Sequence, residues 1–198
     1  MQRSAIVLVG GSATRAGGRE KYFFPLRGRT FLERLIEALA PVADEVLLVA
    51  RDESQCARFE AFPSVKCTVD ERRGLGPIGG LHAGALAASG EVLFVVACDM
   101  PCVNSRVVSR LFDLLDDHDA VIPCWRPGMF EPLHAVYARS ALRRYLEDHD
   151  ELSLRAMVRS LDCCFVPVES LRDLDPGLKT FTNINRVDDL AQIGEDCD

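Results

Sequence analysis

Unbroken apolar runs alternate along the chain with segments in which apolar positions recur every three or four residues. Residues 5–9, 45–49, 65–69, 92–97 and 120–122 are rich in Val, Leu, Ile and Ala on successive positions. That pattern predicts strands covered on both faces, because a strand with one wet face would alternate with period two. Residues 30–39, 78–88 and 104–115 have helical period, with a weaker segment at 54–59, and Thr30 and Glu33 are spaced as a capping box. A strand-helix series of this kind predicts a largely parallel sheet with right-handed crossovers, hence an α/β fold with helices on both faces.

The second half is less regular. Residues 130–137 read as a strand, 140–148 and 153–160 as helices, 165–168 as a brief strand and 187–193 as a closing helix. With no internal repeat, no low-complexity tract and no linker rich in Gly, Ser or Pro, residues 1–198 are expected to form one domain. An open parallel sheet binds ligands beyond the carboxyl ends of its strands. Candidate chemistry is therefore sought just after each apolar run.

Composition narrows the partners. Lys and Arg number 23 against 30 Asp and Glu, a formal charge of −7. An acidic chain lacks the basic face that general nucleic-acid binding requires, although one bound nucleotide remains compatible. The longest apolar run, 92–98, falls far short of the roughly 20 residues that span a bilayer, and no signal-peptide pattern opens the chain. The expectation is a cytoplasmic protein without membrane contact. None of the eight cysteines stands in a C-x-x-C pair, so neither a zinc site nor a regular disulfide framework is expected, and Cys98, Cys163 and Cys164 read as small core hydrophobes.

Three strand ends carry unusual residues. After the first comes Gly10-Gly11-Ser12-Ala13-Thr14-Arg15-Ala16-Gly17-Gly18-Arg19-Glu20-Lys21. Glycines admit backbone N–H groups close to an anion, and Arg15 and Lys21 supply charge-assisted contacts, so the loop reads as a triphosphate cradle. Its spacing fits neither G-x-x-x-x-G-K-[ST] nor G-x-G-x-x-G; the plain alternative is a surface loop with incidental basic residues. The third strand runs into Asp70 and then Gly76-Pro77-Ile78-Gly79-Gly80. Here Asp70 could accept from a base or ribose, or be a turn residue, and Gly79 and Gly80 could serve a ligand or close helix packing. The fourth ends in Cys98-Asp99-Met100-Pro101. A carboxylate closing a buried apolar strand needs donors or a cation, and magnesium, which takes one or two protein carboxylates beside nucleotide phosphates, suits Asp99.

Later positions are more ambiguous. Asn185, three residues before Asp188, is first of all a helix N-cap, whereas Asn183 has no such ready role. His134, between apolar neighbours, reads as a core or rim histidine. Trp125 and Arg126 could edge a planar ligand or sit in a surface loop.

As an ordered set, Leu8-Val9-Gly10-Gly11 with Arg15, Gly17 and Lys21, then Asp70 with residues 76–81, Cys98-Asp99-Met100-Pro101, Glu131-Pro132-Leu133, and Asn183-Ile184-Asn185 with Asp188-Asp189-Leu190 resemble the molybdenum cofactor guanylyltransferase family. The resemblance spans nearly the whole chain. It implies a three-layer αβα Rossmann-like nucleotidyltransferase fold and transfer of GMP from GTP to the terminal phosphate of molybdopterin, with release of pyrophosphate. By the same resemblance Leu8, Val9 and Gly10 lie along guanine, with Gly11 and Gly76 also in the nucleotide site. Lys21 and Arg15 serve the triphosphate, Asp70 the nucleoside and Asp99 the magnesium ion, while Asn183 and Asn185 face the pterin. The double glycine goes with GTP over CTP. Carrier or acceptor molybdoenzyme proteins are the further partners it suggests. The chain departs from the family pattern at Val9, Glu20, Ala50 and Arg186-Val187, which leaves open a related nucleotidyltransferase using CTP or a sugar-phosphate acceptor. A regulatory module that binds nucleotide without turnover is the rival from another class.

Overall fold

The computed structural model describes residues 1–10, 20–70, 72, 75–148 and 153–185. In chain order the elements are β1 (Arg3–Leu8), β2 (Pro25–Leu26), β3 (Arg29–Thr30), α1 (Phe31–Leu39), β4 (Glu45–Ala50), α2 (Glu53–Cys56), β5 (Lys66–Val69) and α3 (Pro77–Ala87). They continue with β6 (Val92–Ala97), α4 (Ser105–Asp113), β7 (Ala120–Arg126), β8 (Met129–Phe130), β9 (His134–Ala138), α5 (Arg139–Asp148), α6 (Leu154–Ser160) and β10 (Cys163–Pro167). The helix expected at 187–193 lies outside the described residues.

The main sheet has the order β10-β7-β9-β6-β1-β4-β5, with β8 pairing beside β7, and β2 and β3 form a separate hairpin. Strands β6, β1, β4 and β5 are mutually parallel. Strand β9 runs antiparallel to both β6 and β7, so β7 and its parallel partner β10 point the same way as β6. All the parallel strands therefore end at one edge, and β9 begins there. Successive residues of β1 face opposite sides: Ala5 and Val7 pack with Leu32, Leu35, Val107 and Leu111 of α1 and α4, while Ile6 packs with Ile78, Leu81, Leu142 and Met157 of α3, α5 and α6. The result is helices on both faces of a mostly parallel sheet, as the continuous apolar runs require.

Local chemistry explains the element boundaries. The Thr30 hydroxyl accepts from the Glu33 N–H at 3.2 Å and the Glu33 carboxylate accepts from the Thr30 N–H at 2.6 Å, the capping box that starts α1. Asn104 caps α4 by accepting from the Arg106 N–H at 2.9 Å. Gly76, which precedes α3, has φ +61° and ψ −146°, a conformation open essentially to glycine alone. In α3 itself, a Cβ on Gly80 would lie 3.1 Å from Leu8 Cδ2 and one on Gly84 would lie 2.8 Å from Ile6 Cγ2. The helix thus rides directly on β1.

Three expectations need correction. The strand expected over 130–137 is two strands, broken where Glu131-Pro132-Leu133 turns and the His134 N–H returns to the Glu131 carbonyl at 3.1 Å. Proline has no N–H to continue a ladder there. Strand β7 runs on to Arg126 because β8 folds back on it, and β10 starts at Cys163 and stops at Pro167, where Val168 opens a 3-10 turn. Cys56 and Cys67 form a disulfide joining α2 to β5, with Cα atoms 6.0 Å apart, where the sequence suggested no regular disulfide framework. Cys98, Cys163 and Cys164 are free, half-buried and packed against the two core clusters.

Candidate active site

The carboxyl edge brings together residues far apart in sequence. β1 and β6 are neighbours, and the Cys98 N–H donates to the Leu8 carbonyl at 3.1 Å, so Asp99 stands beside the segment Val9-Gly10. Lys21 opens a 3-10 turn, Lys21–Phe23, and its Nζ donates to Asp99 Oδ2 at 3.2 Å and to Asn185 Oδ1 at 2.8 Å. The turn is anchored by Tyr22, whose buried ring packs edge-on against Phe59. Asp99 is anchored through its main chain, its carbonyl accepting from the Ile184 N–H at 2.8 Å. Ile184 is buried with Phe24, Leu26 and Phe31, so the segment that presents the exposed Asn183 and Asn185 is held by its own apolar residue. The Asn185 carboxamide thus meets a lysine, a contact its N-cap reading did not anticipate; Asp188 lies outside the described residues.

Across β1 the edge continues with β4 and β5. Val9 is buried and Gly10 lies so close to the next strand that a Cβ would stand 3.2 Å from the Arg51 nitrogen. Glu20 directly precedes Lys21, its carboxylate accepting from Arg51 Nη2 at 2.8 Å with Arg58 Nη1 at 3.9 Å. Asp70 directly follows β5, bonded through its N–H to the Ala50 carbonyl at 2.8 Å, and its Oδ1 accepts from the Arg72 N–H at 2.9 Å. Burial pushes the Asp70 carboxyl above the usual range, against smaller opposing effects of the Arg72 N–H and of nearby His82 and Arg72. Gly79 makes room for it, since a Cβ there would be 2.6 Å from Asp70 Oδ2. Gly79 and Gly80 are therefore close-packing positions. Gly11 and Arg15 lie outside the described residues.

One residue escaped the sequence reading. Gln55 is fully buried: its Nε2 donates to the Val9 carbonyl at 3.0 Å and to the Tyr22 hydroxyl at 3.2 Å, and its Oε1 accepts from the Arg51 N–H at 2.8 Å. A single carboxamide thus fixes the ends of β1 and β4 and the anchor of the Lys21 turn. The available signal was the spacing Asp52-x-x-Gln55 at the start of α2, where Asp52 caps the helix by accepting from the Gln55 N–H at 2.8 Å.

On the other side of Asp99, β9 begins with His134. It is fully buried, its Nε2 is 3.2 Å from Thr180 Oγ1, and its ring lies edge-on to Phe94 and Phe181. Burial holds its pKa down at about 3, so this is a neutral core histidine. Glu131 accepts from Trp125 Nε1 at 2.7 Å.

Among the described residues no group of three or more His, Cys, Asp or Glu side chains is arranged to hold a metal ion. The half-buried carboxylate of Asp99 would nevertheless suit magnesium, which takes one or two protein carboxylates and leaves its other positions to phosphate oxygens and water. Among the described residues no helix is long and apolar enough to cross a membrane.

Residues 5–164 match the family described as MobA-like NTP transferase domain. The chain is 42% identical to a Methanosarcina acetivorans protein named "Probable molybdenum cofactor guanylyltransferase", over 96% of this chain and 89% of that one. It is 33% identical to the molybdenum cofactor guanylyltransferase of Desulfosudis oleivorans, over 96% and 93%. The crystal structure of molybdopterin-guanine dinucleotide biosynthesis protein A from Archaeoglobus fulgidus superposes with a TM-score of 0.80 at 32% identity, covering 96% of this chain and 95% of that one.

Proposed function

Because the chain belongs to the MobA-like NTP transferase domain family, we propose that it transfers GMP from GTP to the terminal phosphate of molybdopterin, releasing pyrophosphate. The observation that carries the reading is the meeting of Lys21, Asp99 and Asn185 at one point of the sheet edge, with contacts of 3.2 and 2.8 Å. A cation, an acid and an amide there suit a polyphosphate and its counter-ion.

In this reading Leu8, Val9 and Gly10 line guanine, with Gly11 also in the nucleotide site and Gln55 holding the Val9 carbonyl in place. Asp70 accepts from the nucleoside, and Gly76 leads the chain into α3 beside it. Asn183 and Asn185 serve the acceptor. Asp99 would hold a magnesium ion, which supplies charge neutralisation on the phosphates. The acceptor phosphate oxygen is already anionic, so no general base is required. It attacks the α-phosphorus in line, the new P–O bond forming as the bond to the α–β bridging oxygen breaks and its electron pair leaves with pyrophosphate. Lys21 and Arg15 answer the charge that grows on that leaving group.

The test incubates purified protein with magnesium, metal-loaded molybdopterin and each of GTP, CTP, ATP and UTP, reading pyrophosphate release and dinucleotide mass. The expected product is the guanine dinucleotide, abolished in Asp99→Ala with the circular dichroism of the fold unchanged. Preference for CTP, or a sugar-phosphate acceptor in place of the pterin, would overturn the reading. GTP binding without turnover would favour the regulatory alternative.

A further inference from the structure

Trp125 is an aromatic residue left open at the edge where the parallel strands end. It lies near the end of β7, which points the same way as β6. β7 stands two strand spacings from β6, about 10 Å in the direction of the sheet hydrogen bonds. The chain between Phe181 and Ile184 links the two places: the Phe181 ring lies 5.9 Å from the Trp125 ring, and the Ile184 N–H reaches the Asp99 carbonyl at 2.8 Å. Trp125 is 39% exposed, yet its plane is fixed by the Phe181 ring at 72° and by the 2.7 Å bond from Nε1 to Glu131 Oε1. Burial raises the Glu131 pKa, an effect that the indole bond opposes. Keeping this carboxylate half-covered has a desolvation cost, which an exposed ring needing no orientation would not call for.

We propose that the Trp125 indole is the platform on which the fused nitrogen heterocycle of the acceptor stacks, with Glu131 and Phe181 fixing its plane. The inference rests on the guanylyl-transfer reading and adds to it the place of the acceptor's ring: its phosphate points to Asp99 while its ring lies over β7. A rigid, pre-oriented indole loses little freedom on binding, and offset stacking favours flat heteroaromatic ligands.

Trp125 is the single tryptophan of the chain, so unmodified protein supplies its own probe. Tryptophan emission is expected to be quenched in a saturable way by molybdopterin and to be nearly unmoved by GTP alone. In steady-state kinetics Trp125→Ala is expected to raise the acceptor KM about tenfold while leaving the GTP KM within about twofold, and Trp125→Phe to retain most of the affinity. Glu131→Gln, whose carboxamide oxygen still accepts from the indole, is expected to behave as wild type, whereas Glu131→Ala reproduces part of the Trp125→Ala defect. If wild-type protein makes dinucleotide but its emission ignores the acceptor, or if Trp125→Ala leaves the acceptor KM unchanged, the stacking proposal is overturned alone. A wild type that makes no dinucleotide overturns the guanylyl reading and the proposal with it.

Discussion

Glu45 offers a test of the fold at the end of the sheet away from the site. It opens β4, is buried, and accepts from three directions: the Ser4 hydroxyl at 2.7 Å and the Ser89 N–H at 2.9 Å on Oε2, and Lys66 Nζ at 2.7 Å on Oε1. Ser4 in turn accepts from the Gly90 N–H at 2.9 Å, so one carboxylate ties β1, β4, β5 and the turn before β6. Burial alone would raise its pKa, but the donors from Lys66, Ser4 and Ser89 outweigh burial and hold it at about 2 against 4.5. At about 1.36 kcal/mol per pH unit that interval sets an upper figure of about 3 kcal/mol. Lys66 is 69% exposed and its share is screened, which leaves about 2 kcal/mol. The folded pKa is depressed, so this stability is fully present above about pH 4.5 and is lost as the pH falls toward 2. Urea unfolding of wild type and Glu45→Gln from about pH 7 to about pH 3 should give a gap of about 2 kcal/mol that narrows steadily with acid. A gap that stays constant across the titration would refute the argument.

The other expectations concern packing, charge and the core histidine. Gly84→Ala gains about 1 kcal/mol of helix propensity but drives a methyl to 2.8 Å from buried Ile6, an overlap costing about 1–3 kcal/mol, so the urea midpoint should fall. Lys21→Ala should lower kcat/KM for pyrophosphate release by roughly 30- to 1000-fold, about 2–4 kcal/mol, while the unfolding midpoint barely moves because the pair with Asp99 is partly solvated. His134, held at about 3, should show no ring titration by NMR above about pH 5; since its folded pKa lies below 6.5, its contribution to stability is full above that value and declines with acid. A titration midpoint near 6.5 would contradict the burial argument.

How much of this was legible in sequence depended on the kind of force involved. Strands β1, β4 and β6 announce themselves because a strand covered on both faces is apolar on successive positions, as residues 5–8, 46–50 and 92–97 are. The break between β8 and β9 was missed because Phe130 and residues 135–137 read as the two ends of one apolar run although Pro132 stands between them, and the fold-back onto β7 settles the break. Asp99 was visible as an acid closing a buried strand, but its meeting with Lys21, 78 residues earlier, depends on β1 and β6 being neighbours, an order that periodicity does not encode. The Cys56–Cys67 bond likewise depends on α2 packing against β5. Gln55 was hidden because a polar residue in a short helix usually faces water, and the Asp52-x-x-Gln55 spacing marks a helix start without saying that this side chain turns inward.

In the guanylyl-transfer reading, the reversal of β9 lets a single edge serve two unlike ligands. On the β1-β4-β5 side the strands lead to Val9-Gly10, Arg51 and Asp70, the positions that face phosphate and nucleoside in that reading. On the other side the chain arrives at β9 through a hairpin, which brings side chains such as Glu131 and Trp125 to the rim. Lys21 stands at the seam between the halves, bonded to Asp99 from β6 and to Asn185 from the C-terminal segment. An ammonium group has three protons, and these two contacts use two of them. In the guanylyl-transfer reading the third would go to a phosphate oxygen without breaking either bond, so Lys21 would grip the triphosphate while remaining tied to both walls. A methionine at that position would keep much of the apolar stem but could tie neither wall to the phosphate, and for that reason the seam needs a cation of lysine's shape.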